Sequence, residues 1–160
     1  MKNIIILTLF SIGLFSCSQS KKHREYQGTA KLKDDRIRAE LVKMMEKEGP
    51  YTFVIFEEPN SGKFVQFAGN KNEELLFDLP SDQLSKTQLE NAKNILKTYD
   101  IIHETSPTYT DETETAENGS LSTFSKRINN DIDLAIELTS RVMIDVFGFD
   151  EHVKLSIETD

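Results

Sequence analysis

The amino-acid sequence predicts an α+β domain in the order α-β-β-β-α-β-β-α, an antiparallel sheet packed with helices. Two observations carry this. Three runs rich in β-branched and aromatic residues follow one another, Tyr51 to Glu57, Lys63 to Gly69 and Glu73 to Leu79. Turn formers, Pro59-Asn60-Ser61-Gly62 and Gly69-Asn70-Lys71-Asn72, separate them, and loops that short join antiparallel neighbours. The 160 residues suit a single domain, with 38% hydrophobic content for its core.

Before that domain, Met1-Lys2-Asn3 leads into an apolar run from Ile4 to Phe15. The run has the length of a signal peptide's apolar region and is too short to span a bilayer comfortably. It ends Leu14-Phe15-Ser16-Cys17, which resembles a bacterial lipobox, and Cys17 is the only cysteine in the chain. The resemblance implies cleavage after Ser16 and lipid on Cys17, with enough acyl chains to anchor the protein stably to a membrane. The alternative is an ordinary secretory signal with a stray Cys. A lone Cys also rules out an internal disulfide framework. Residues 17–32 are polar and read as a lipidated flexible tether, so residues 33–160 are expected to form the single domain. Lys21, Lys22 and Arg24 could meet anionic head groups, although a plain solvated linker explains them more simply. The lipobox places the protein in the bacterial envelope, facing the periplasm by default.

Asp34 or Asp35 caps a helix towards Glu48, with Ile37, Leu41, Met44 and Met45 on one stripe and Gly49-Pro50 as its stop. The three-stranded meander follows. In its strands Tyr51, Phe53 and Ile55 alternate with Thr52, Val54 and Phe56; Val65 and Phe67 with Phe64, Gln66 and Ala68; Leu75, Phe77 and Leu79 with Glu74, Leu76 and Asp78. One face is a core face. The second is mixed, and Val54, Phe56, Phe64, Ala68 and Leu76 on it are the partner-binding candidates. A helix of the same chain, a second copy or a client could cover them, and scattered surface apolar residues are an ordinary alternative.

Ser85-x-x-Gln88 is a capping box that opens a second helix, with Leu89, Ala92, Ile95, Leu96 and Tyr99 inward. Ile101 to Glu104 reads as a strand extending towards Tyr109, and Leu121 to Ile128 as its return. Asn130 to Phe147 is a third helix with a broad apolar stripe, closed by Gly148. Val153-x-Leu155-x-Ile157 suggests a short edge strand.

This order, with Phe64-Val-Gln-Phe-Ala-Gly69, Glu74-Leu-Leu-Phe-Asp-Leu-Pro80 and a last helix ending Asp145-Val-Phe-Gly148, resembles the type III secretion chaperone-like superfamily, and within it the TY-Chap and YbjN-like domains. The resemblance covers about residues 33–150. It implies a small, acidic, non-enzymatic and often homodimeric protein. A lipid anchor departs from it, because the secretion chaperones are cytoplasmic, and a fold does not carry its function with it.

The formal net charge of −8 disfavours nucleic acid as a partner. No cofactor is expected. His23, His103 and His152 lack ligand-spaced partners, no Gly-x-Ser-x-Gly elbow occurs, and no glycine-rich phosphate loop occurs. Asp111, Glu112, Glu114 and Glu117 could gather a cation, but their spacing suits a solvated hairpin tip better. No catalytic constellation emerges. Two functions fit. One is a lipid-anchored, chaperone-like module that binds another envelope protein, with a homodimer among its assemblies. The other is an immunity-type inhibitor of a periplasmic toxin or hydrolase, steered by its negative charge.

Overall fold

The computed structural model describes residues 25–49, 52–107 and 120–160. Cys17, the expected signal peptide at 1–16 and the acidic residues at 111–117 lie outside the described residues. The fold is α+β. A seven-stranded antiparallel sheet comprises β1 (Glu25–Lys31), β2 (Phe53–Glu58), β3 (Lys63–Asn70), β4 (Glu73–Pro80), β5 (His103–Pro107), β6 (Ser120–Arg127) and β7 (Lys154–Thr159). Their spatial order is β1-β7-β2-β3-β4-β6-β5. Three helices accompany it: α1 (Asp35–Glu46), α2 (Lys86–Leu96) and α3 (Ile132–Arg141).

The helices begin where short polar side chains satisfy orphan N–H groups. The Asp34 carboxylate accepts from Arg36 N at 3.0 Å, and Asp131 accepts from Leu134 N at 2.9 Å. Ser85 and Gln88 form the reciprocal capping box that their spacing predicts. Thr139 Oγ1 donates to the Ala135 carbonyl within α3. The helix then widens into a π-helical turn at Val142–Val146, where Phe147 N–H reaches back five residues to the Val142 carbonyl. Gly148 follows at φ +81°, a conformation that favours glycine.

All three helices bury their stripes in one core. Ile37, Leu41 and Met44 of α1, Ala92 and Leu96 of α2, and Ala135 and Leu138 of α3 join strand residues Val54, Phe56, Val65, Phe67, Leu75, Phe77, Leu79, Leu155 and Ile157. An edge-to-face ladder of rings crosses the middle strands, Phe56 to Phe67 at 6.1 Å and Phe67 to Phe77 at 5.7 Å. Burying each such ring contributes about 1.5–3 kcal/mol, so this ladder anchors the sheet to its helices.

Two expectations are corrected here. Residues 25–32 are not tether: Glu25–Lys31 is a strand paired with β7, and Ala30 and Leu32 are buried. Accordingly β7 is not an edge strand. It lies between β1 and β2, and β1 and β5 are the edges. The pairing of β1 shifts between Tyr26 and Gly28, and this bulge hides the alternation that would have marked a strand. Gly28 has φ +97°, which a side chain would strain. Arg36 closes over it from α1, donating to the Gln27 carbonyl at 2.6 Å and the Thr29 carbonyl at 2.7 Å. A Cβ at residue 28 would stand 3.0 Å from the guanidinium. One cation thus ties the edge strand to the first helix and occupies its carbonyls.

The β2–β3 turn is held by a carboxylate. Glu58 accepts from Asn60 N, Asn60 Nδ2 and Ser61 N, and hydrogen bonds from Ser61 above all, with those from Asn60, hold its carboxyl below the usual carboxylate range.

Two predictions follow from these ties. Arg36→Ala should cost about 1–2 kcal/mol and release the amides of residues 25–31 to hydrogen exchange while those of β2 to β4 stay protected; unchanged protection in β1 would refute the tie. Glu58 has a depressed folded pKa, so its contribution is complete above the ordinary carboxylate pKa and fades as pH falls through the folded value. Glu58→Gln should therefore lower the thermal midpoint at neutral pH, and the gap from the unsubstituted chain should shrink on acidification. A gap that widens towards acid would contradict this.

Candidate protein-docking face of the sheet

Residues directly opposite each other on neighbouring strands share a face, so the register assigns every side chain. Glu58 pairs with Lys63 across the turn, which sets Phe56 against Val65 and Val54 against Phe67. Val54 and Phe56 therefore lie on the helix-covered face, and both are fully buried. As partner-binding candidates they are corrected: no partner reaches them in the folded chain. Phe64, Ala68 and Leu76 do lie on the opposite face and are half-buried. Phe53 and Ile55 take the places expected for Val54 and Phe56. The turn itself held the signal that sequence reasoning missed, because a four-residue loop from Pro59 to Gly62 makes Glu58 face Lys63.

Two rows of residues run across this second face. One is Tyr26, Glu158, Ile55, Gln66, Asp78 and Ser125, each opposite the next on six successive strands. The other is Phe53, Ala68, Leu76 and Arg127. Among the described residues the helix-packed core takes no side chain from either row. Ile55 is 3% exposed and Tyr26 63% exposed, so the face has a closed centre and an open aromatic near the β1 edge.

Polar groups stiffen this face. The Asp78 carboxylate accepts from Gln66 Nε2 and from Thr123 Oγ1, tying three strands together. Where pairing of β3 with β4 runs out, the Gln83 side chain completes it. Its Oε1 accepts from Phe64 N and its Nε2 donates to the Phe64 carbonyl, both at 2.8 Å. Phe64 is thereby fixed at the rim beside Glu57. Among the described strand pairs, the register places the carboxylates of Glu57, Asp78, Glu104 and Glu158 on this face, against Lys31, Lys154 and Arg127. The face is apolar in patches and acidic between them.

A hollow of about 260 Å³ opens at one end of the apolar row, lined by Thr52, Ala68, Gly69, Glu73, Glu74, Leu76 and Arg127. A second, of about 200 Å³, lies between α2 and the β5 edge, lined by Lys93, Lys97, Ile101, Ile102, His103 and Phe124. His103 is half-buried there. Its ring lies 4.8 Å from Phe124 and its Nε2 lies 3.0 Å from Ser81 Oγ. Among the described residues no three His, Cys, Asp or Glu side chains converge on a metal site, and no helix is long and apolar enough to cross a membrane. No protein-family model, no curated protein and no solved structure matches the chain.

The face assignment is directly testable. Phe56→Asp should abolish cooperative unfolding, since deleting a buried Phe alone costs about 3–5 kcal/mol. Phe64→Asp should move the unfolding midpoint only slightly and leave the circular dichroism spectrum intact. Equal damage by both substitutions would overturn the assignment.

Proposed function

We propose that this chain is a lipid-anchored, non-catalytic envelope protein that binds another protein through the face of its sheet opposite the helices. The observation that supports this most is the segregation of the fold. Three helices share one core, while Phe53, Phe64, Ala68 and Leu76 stand on the other face among carboxylates. Apolar patches inside a polar surround are the composition of a protein-docking surface. The chaperone-like character rests on the resemblance to the secretion chaperone-like superfamily.

The anchor in this reading is lipid on Cys17, with the domain facing the periplasm. Because β1 begins at Glu25, seven residues, Ser18 to Arg24, separate anchor and sheet, and the step from Cys17 to Glu25 spans at most about 28 Å when fully extended. The domain then works close to the membrane surface, with the exposed Tyr26 at the start of its first strand. The acidic character of the same face supports the immunity-type inhibitor as a second reading, since it suits a basic partner.

The test is capture from native membranes. The full lipoprotein is cross-linked in intact cells, purified, and its companions identified by mass spectrometry, in parallel with Phe64→Asp and Leu76→Asp. We expect a companion protein whose yield falls at least about tenfold in both variants. One stoichiometric basic companion selects the inhibitor reading, and several envelope proteins select the chaperone-like one. Companions captured equally by all three forms would contradict use of this face. Copies of the chain alone would replace the foreign partner by a homodimer.

A further inference from the structure

The hollow at Ala68, Gly69 and Leu76 has a chemistry of its own. Its volume, about 260 Å³, falls below the roughly 300–1,000 Å³ of sites that enclose drug-sized ligands and suits a single side chain. Its floor is apolar, from Ala68 and Leu76. The exposed residues Glu73 and Glu74 also line it, and among the described residues neither carboxylate enters an ion pair. The one cation at the rim, Arg127, is already engaged, donating from Nη1 to the Glu74 carbonyl at 3.2 Å.

We infer that this hollow seats one basic side chain, lysine or arginine, of the protein partner. The inference rests on the docking reading above and specifies the partner's chemistry. The long apolar stem of such a side chain lies along Ala68 and Leu76, and its charged head is drawn to the acidic residues Glu73 and Glu74 that line the hollow. A lysine or arginine gains from both parts of the hollow. An aliphatic side chain would leave the carboxylates unused, and an acidic one would meet them as like charges. The carboxylate excess over the whole face and the net charge of −8 draw the same class of partner. Arg127 is the opposing element, and it selects against a head group that carries its charge on the β6 side.

The experiment uses the full chain, isotopically labelled and purified in detergent micelles. Three short blocked alanine peptides serve as probes, carrying one central Lys, norleucine or Glu, and the backbone amide resonances are followed. The Lys peptide should shift the amides of Ala68, Glu74 and Leu76, while the other two leave them in place. Substituting Glu73→Gln and Glu74→Gln together should weaken the Lys peptide about three- to fivefold, and Arg127→Ala should strengthen it about twofold. Equal shifts from the norleucine peptide, preference for the Glu peptide, or no response to the Lys peptide would each overturn the inference. Phe64 lies outside the hollow, so the two readings separate. Loss of membrane capture in Phe64→Asp with no response to the Lys peptide removes the basic-side-chain seat and keeps the docking face. A Lys-peptide response with capture insensitive to Phe64→Asp does the reverse.

Discussion

The register of β2 between β3 and β7 is the constraint on which the molecule depends. Val54 and Phe56 meet Phe67 and Val65 on one side and Thr159 and Ile157 on the other. That alignment gathers the large apolar residues of three strands onto the face that receives the helices. A slip by one residue would turn every β2 side chain over, burying Glu57 and exposing Phe56. The turn at Pro59–Gly62 guards against it, because Glu58 holds that turn closed through bonds from Asn60 and Ser61. A hairpin carboxylate thus helps to set which residues join the core and which face away from the helices.

The same register explains what was legible in the sequence. The meander, the capping box at Ser85 and Gln88, and the stripes of all three helices announce themselves through strong periodicity and specific cap chemistry. The strand at Glu25–Lys31 does not. It has few apolar residues, a bulge interrupts its alternation, and its order depends on β7, more than a hundred residues further on. Arg36, whose guanidinium holds that strand, looks from sequence like one more charge on a solvated helix face. The internal place of β7 was hidden for the same reason, since nothing local to Lys154–Thr159 indicates that β1 will cover its outer edge.

The candidate site was half legible. Phe64, Ala68 and Leu76 were identified by alternation within their own strands, which is a local property. The error at Val54 and Phe56 came from joining the faces of separate strands without fixing the pairing between them. Alternation says which residues share a face within one strand, and only the turn says how two strands combine. Once combined correctly, the second face gains Phe53 and Ile55, and with β7 and β6 it gains Glu158 and Arg127. Its mixture of apolar patches and carboxylates exists only across strands, so no single segment displays it.

The central claim, that a partner binds the sheet face opposite the helices, is tested most directly by photo-cross-linking at single positions in living cells. A photoreactive phenylalanine analogue replaces Phe64 in one strain and Val42 in another, Val42 being an exposed apolar residue on the outer side of α1. The account predicts a discrete adduct with a partner protein from position 64 and none from position 42. An adduct from position 42 alone would contradict it, and would place recognition on the helical side of the fold.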